Sequence, residues 1–177
     1  MTGSLARKAA ESTLRFGVVR WPLRMAIALV ALTERIWSFL RVRALLQVPA
    51  GTSCHWSVEI KYPENVRLLG PVIIGPRCTL GAKGGITLGA CVRMSKGVLI
   101  ETASLDVNAA LHYPHIAKPV VIEDGVWLGA HSIVLGGVRI GAHAVIGAGT
   151  VVSKDIPAGA IVVGGGFRLI EREARQD

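Results

Sequence analysis

The sequence predicts an all-β chain, a parallel β-helix of hexapeptide repeats preceded by a helical segment. The first observation is a period of six in residues 119–163, where Ile122, Leu128, Val134, Ile140, Ile146 and Val152 fall six apart. The second is a companion column two positions earlier, small or apolar throughout: Val120, Val126, Ser132, Val138, Ala144 and Thr150. The third is the glycine directly behind three of the markers, Gly129, Gly141 and Gly147. A period of six fits neither the 3.6 of a helix nor an unpunctuated strand, but it fits short extended pieces broken by turns. Glycine there is expected to supply backbone angles that a Cβ makes costly.

The same period reaches towards the N-terminus. Leu68, Ile74 and Leu80 are six apart, and so are Leu88, Met94 and Ile100. The step of eight from Leu80 to Leu88 predicts a two-residue bulge within Ala82–Gly85. The step of twenty-two from Ile100 to Ile122 leaves an excursion over residues 102–118. Long loops in regular domains are rare and are usually functional. With three hexapeptides to a triangular coil, Val58–Ile100 makes roughly two and a half coils. Pro157 and Gly159 end the regularity. Three segments follow: 1–48, helical and basic; 49–163, the β-helix; and 164–177, a polar tail expected to be helical.

Charge is unevenly spread. The net charge is +8, and residues 1–48 carry eight Arg and Lys against Glu11 and Glu34, leaving little on the repeats. Nucleic acid would call for a basic stripe with aromatic platforms on the folded domain, and none is evident, so no nucleic-acid partner is expected. Cys54, Cys78 and Cys91 form no CxxC pair and follow no signal peptide, which implies a cytoplasmic chain with reduced thiols. Cys78 falls two before Leu80, an inward position, and is expected to be buried.

Residues 14–46 are apolar and basic, and a helix is predicted from about Pro22. The longest uncharged run, Met25–Thr33, is too short to span a bilayer. With Trp21 and Trp37 near its ends, such a helix suits a membrane interface, at the inner face for a cytoplasmic chain. Packing on the β-helix or on another subunit is the equal alternative.

Residues 58–170 resemble the hexapeptide-repeat acyltransferases, in the branch that O-acetylates sugars and polysaccharides. The stretches that carry the resemblance are KPVVIEDGVWLGAHSIVLGGVRIG (118–141) and AVIGAGTVVSKDIPAGAIVVGG (144–165). The resemblance implies a left-handed coil, a homotrimer, and acetyl-coenzyme A lying along the outside of the prism between subunits. By the same resemblance Trp127 flanks the pantetheine end, and Gly129, Ala130 and Ala148 let the thin arm approach. Ser153, Lys154 and Arg168 match positions near the nucleotide phosphates; without the resemblance, Lys154 and Arg168 read as solvated surface charge.

Transfer to a hydroxyl needs a base, and histidine suits neutral pH. The family carries one early in the loop, where this chain has Leu105 and Asp106. The remaining candidates are His115, favoured because it stands three residues before Lys118-Pro119, and then His112. Asp106 or Glu101 would orient the imidazole, and Tyr113 would line the acceptor pocket. His131 and His143 read as surface corners, with His131 within reach of the cofactor. No histidine pair is five apart, the spacing of the related metal-dependent hydratases, so no metal is expected. The reading is direct O-acetyl transfer to a sugar or lipid-linked polysaccharide precursor; the alternative is a silent scaffold that has lost its base.

Overall fold

A computed structural model of the chain describes residues 21–34, 36, 37, 40, 43, 44, 46–106, 108, 109 and 111–164, and the backbone of 168–170. It divides into two compact units, Met1–Trp37 and Ser38–Asp177.

In the first unit residues 21–34 are helical, as are residues 36 and 37. At 1.5 Å per residue, residues 21–34 span about 21 Å. No helix among the described residues is long and apolar enough to cross a membrane. Trp21, Ile27, Leu29 and Leu32 are all more than half exposed.

The second unit is a parallel β-helix whose strands fall on three faces. Face I holds Ser53–Cys54, Ile73–Ile74, Arg93–Met94, Trp127–Leu128, Val145–Ile146 and Ile161–Val163. Face II holds Glu59–Lys61, Thr79–Gly81, Leu99–Glu101, Ile133–Leu135 and Val151–Val152. Face III holds Val66–Leu68, Ile86–Leu88, Val120–Ile122 and Arg139–Ile140, extended by a bridge from Ile140 to Ile156. Five coils result, numbered here by their face I strands, and the strand Ile161–Val163 tops the fifth.

Both columns of the hexapeptide period point inward. Leu128, Val134, Ile140 and Val152 have no exposed surface, nor have Val120, Val126 and Ala144. Each large side chain so buried contributes about 1.5–3 kcal/mol. Cys78 lies in the same interior, its thiol donating to the Ser95 carbonyl at 3.0 Å and pushed up in pKa by burial. Ser132 and Thr150, both fully buried, have hydroxyl oxygens with no hydrogen-bond partner.

The turns correct the sequence reading of glycine. Gly129, Gly141 and Gly147 lie outside the left-handed region, which falls two residues later, on His131, His143 and Gly149. What these three glycines supply is room. A Cβ on Gly129 would stand 2.6 Å from the Ala148 nitrogen and from the Ile146 carbonyl, because the next coil passes directly against it. Ladder hydrogen bonds between coils demand that approach; the Gly129 amide donates to the Ile146 carbonyl at 2.7 Å.

The predicted bulge at Ala82–Gly85 is present, and an equivalent one was not anticipated in the first coil, at Tyr62–Asn65, where Pro63–Asn65 form a 3₁₀ turn. These two insertions make the first coils twenty residues long, Ser53 pairing with Ile73 and Ile73 with Arg93. The expected helical tail is also corrected: Arg168–Ile170 form a strand antiparallel to Ile161–Val163. The last face I strand would otherwise leave its amides and carbonyls unpaired, and Gly164, at φ 88°, lets the chain leave that strand. Residues 171–177 lie outside the described residues.

Candidate active site

The excursion is a β-hairpin rooted on the edge between faces II and III. Ala103–Leu105 pair antiparallel with His115–Ala117. At its base the Lys118 amide donates to the Thr102 carbonyl at 2.9 Å, and the buried Thr102 hydroxyl donates to the Gly81 carbonyl at 2.6 Å. The register places His115 directly opposite Leu105. Residues directly opposite in an antiparallel pair project to the same side of the ribbon. A histidine on the returning strand thus stands across from Leu105, one of the two positions, with Asp106, where the resemblance leads one to expect the base. His112 sits off the ladder near the tip with φ 71°, and Tyr113 follows it; all three side chains are exposed. Neither loop histidine bonds Asp106 or Glu101. Asp106 accepts the Asn108 amide at 3.1 Å, and Glu101 accepts the Ala103 amide at 3.1 Å.

The residues matched to the cofactor arm gather on another edge, between faces I and II. Trp127 is half exposed, and its indole Nε1 donates to the Ser95 hydroxyl at 3.0 Å. Gly129 and Ala130 lie against Gly147 and Ala148 of the next coil, and the Gly149 amide donates to the Ala130 carbonyl at 2.8 Å. Together they leave a shallow strip without large side chains beside the indole. His131 follows at the left-handed corner with its imidazole over Gly97. Ser95 escaped the sequence reading because the excursion hides the register in which Trp127 pairs with Arg93.

Ser153 and Lys154 are exposed on the edge between faces II and III in the fifth coil, the same edge as the hairpin. The side chain of Arg168 lies outside the described residues. The predicted residues therefore divide between two edges that flank face II: cradle on one, loop and Lys154 on the other. On face II the outward side chains Leu99, Ile133, Leu135 and Val151 of the third to fifth coils are apolar, the first two half-buried and the last two about two-fifths exposed. Glu59 and Lys61, by contrast, form an exposed ion pair in the first coil, and Glu101 lies outward in the third.

The third edge, between faces III and I, spends its carboxylates on structure. The Glu123 carboxylate pairs with the Arg139 guanidinium at 2.6 Å and accepts the Ala142 amide at 2.9 Å, and Arg139 holds its pKa below the usual carboxylate range. Asp124 accepts the Ala90 amide at 2.7 Å, and on face III Asp155 accepts the Arg139 amide at 2.7 Å. An open depression of about 440 Å³ beside them is lined by Glu123, Arg139, Asp155 and Pro157 among others. Its charged groups are already engaged with one another and with backbone, so it offers little to a ligand.

Comparisons with known proteins agree with the fold. Residues 119–154 match the model described as bacterial transferase hexapeptide (six repeats), and residues 71–101 match that of the hexapeptide repeat of succinyl-transferase. A maltose O-acetyltransferase from Clostridium difficile is 30% identical, with TM-score 0.69 over 76% of this chain and 73% of that one. A hexapeptide-repeat acetyltransferase from Vibrio cholerae, solved with acetyl-coenzyme A, is 24% identical, with TM-score 0.62 over 74% of this chain and 72% of its own. A tetrahydropyridine-dicarboxylate N-acetyltransferase from Staphylococcus carnosus is 50% identical over 66 residues, which are 37% of this chain and only 28% of that relative.

Proposed function

The chain belongs to the hexapeptide-repeat acetyltransferases, and on that premise we propose that it moves an acetyl group from acetyl-coenzyme A to a sugar hydroxyl, with His115 as general base. The observation that carries the assignment of the base is the hairpin register, which sets His115 opposite Leu105. The acceptor oxygen attacks the thioester carbonyl while the imidazole takes its proton. The C–S bond then breaks, and the proton passes to the departing thiolate. An O-acetyl ester and free coenzyme A result. His112 is the second candidate, and Tyr113 lines the acceptor side. The sugar is favoured by the Clostridium neighbour, named a maltose O-acetyltransferase.

The working unit in this reading is a homotrimer. Loop and cradle flank the same face, and a three-fold axis beside face II sets the loop edge of one copy against the cradle edge of the next. The four outward apolar side chains of its upper coils, Leu99, Ile133, Leu135 and Val151, suit burial there. Acetyl-coenzyme A then lies between copies, its thin arm on Gly129, Ala130 and Ala148 beside Trp127, where any larger side chain would stand in its way. Ser153, Lys154 and Arg168 meet its phosphates as charge-assisted donors.

The test is complementation between two inactive variants, with free thiol release as readout. His115→Ala removes the base, and Ala148→Trp fills the cradle at an exposed position. Each alone should lose activity. Unfolded and refolded together in equal amounts, they should recover about a quarter of wild-type activity, because random assembly pairs an intact loop with an intact cradle at that frequency. Recovery in no mixture would confine the site to one chain. Undiminished transfer by His115→Ala would pass the role to His112, and no transfer by the wild type to any sugar would leave the silent scaffold.

The acceptor is taken to be lipid-linked and met at the cytoplasmic face of the membrane. The support is the helix of residues 21–34, with exposed apolar side chains within a segment rich in arginine. The full chain should float with anionic vesicles, and Ile27→Asp should leave it at the bottom of the gradient. Equal behaviour of the two would give the helix to a protein contact.

A further inference from the structure

The geometry points to an acceptor that carries a negative charge, recognised by Arg77, Arg93 and Lys96 on the cradle edge ahead of Trp127. The inference rests on the transfer reaction above and names the class of its substrate.

The face I strands and the turns leading from them to face II contain no acidic residue. Those strands are Ser53–Cys54, Ile73–Ile74, Arg93–Met94, Trp127–Leu128, Val145–Ile146 and Ile161–Val163, and the turns are residues 55–57, 75–77, 95–97, 129–131 and 147–149. The cations are not spread evenly along this edge. Arg77, Arg93 and Lys96 all stand in the second and third coils, and all are exposed. Arg93 is the strand partner of Trp127, and Lys96 precedes Gly97, over which the imidazole of His131 lies. Coils stack about 4.8 Å apart, so these backbones fall within roughly 10 Å along the edge. None of the three forms an ion pair among the described residues. The carboxylates across face I are engaged elsewhere, Glu123 with Arg139 and Asp124 with the Ala90 amide.

Position decides what this charge is for. Ala148 and Lys154 belong to the fifth coil, Trp127 to the fourth, and the hairpin of the neighbouring copy to the third. A donor whose phosphates rest by Lys154 and whose arm passes Ala148 presents its thioester towards Trp127. What lies beyond, over the second and third coils, is the acceptor's ground. Trp56, two-fifths exposed in the first coil of the same edge, offers an aromatic face of the kind that sugar rings stack on. Unpaired cations beside it favour a sugar bearing a carboxylate or a phosphate, since charge-assisted bonds to either are stronger than neutral ones. Uronates and sugar phosphates share this chemistry, and the experiment treats them as separate arms.

Initial rates are measured with the full-length chain on three acceptors: maltose, a glucuronate disaccharide and glucose 1-phosphate. Each is also titrated into the protein by calorimetry, without acetyl-coenzyme A. The expected result is a KM at least tenfold lower for one of the charged acceptors than for maltose. Arg77→Ala and Lys96→Ala should each raise that KM several-fold, without moving the KM for maltose or for acetyl-coenzyme A. Equal KM values for charged and neutral sugars overturn the inference. So does a rise in the acetyl-coenzyme A KM in these variants, which would give the cations to the donor's phosphates. Calorimetric binding of a charged sugar without any acetyl transfer would keep the anion site and remove the transfer reading, and transfer to maltose alone would do the reverse.

Discussion

The coil strands between Val120 and Val152 and the hairpin strands Ala103–Leu105 and His115–Ala117 are all extended backbone, yet they are built for opposite ends. In Val120–Ile122 the outer two side chains are buried and the middle one is half-buried, and the two buried positions return every six residues. In His115–Ala117 all three side chains are exposed. The coil strands therefore carry a sequence period, because each must place an apolar group in a narrow interior. Among the described residues the hairpin is bonded through its own ladder and, at its root, through Thr102 and Lys118, so its side chains are free to be chosen for chemistry. The difference teaches where a repeat protein keeps its variable function: on what it ejects, and on the outward half of what it keeps.

A paired substitution separates the two regions most sharply. His115→Ala should lower the turnover of acetyl transfer by about 10²–10⁴-fold, as loss of a general base does, and leave stability within about 0.5 kcal/mol. Leu128→Ala removes a side chain with no exposed surface and should lower unfolding free energy by about 2–5 kcal/mol. Chemical denaturation followed by circular dichroism and a thiol-release assay give both readouts. A large stability loss in His115→Ala would make the hairpin part of the fold and dissolve the contrast.

How much of this was legible follows from the same physics. The markers from Ile74 to Val152 are buried because the interior selects apolar residues, and the interior is what a period reports. Turn chemistry was misread, since glycine serves two different needs here. Gly149 adopts φ 67°, which a Cβ resists, whereas Gly129 gives way to the backbone of the next coil; only the coordinates tell these apart. The tail strand Arg168–Ile170 was missed because three residues pairing with an open edge leave no period at all. Of the candidate site, Trp127, Gly129, Ala130 and Ala148 do come together. The opposition of His115 and Leu105 could not be read, because it depends on the register of a hairpin whose turn residues give no clear signal. Nor could the nearness of Arg93 to Trp127, since the excursion separates these strand partners by thirty-four residues.

Within the interior the comparison can be sharpened at a single atom. The Thr150 hydroxyl is buried without a partner, as is that of Ser132 in the coil before it. A buried polar group left unbonded is destabilising by about 1–3 kcal/mol, so Thr150→Val, which keeps the branched shape, should raise stability by about 1 kcal/mol. Loss of stability in this variant would mean that the hydroxyl has found a bond, most simply to a buried water. The analogous exchange in the hairpin, Ser104→Val, should do nothing measurable, because that side chain is exposed.

The smallest effect belongs to the third edge, where charge serves the coils. The folded pKa of Glu123 lies below its unfolded value, chiefly through its hydrogen bond to Arg139. A carboxylate so lowered stabilises the fold above the unfolded pKa of about 4.3 and loses that contribution as pH falls through the folded value. Glu123→Gln keeps an oxygen for the Ala142 amide and removes only the charge. Wild type should therefore be the more stable at pH 7, and the two curves should converge as the pH is taken down towards 3. The pair is exposed, so added salt should shrink the gap at neutral pH. A gap that persists unchanged in acid would show that glutamate's shape, and not its charge, holds Arg139. The III–I edge would then join the packed interior instead of standing as its electrostatic seam.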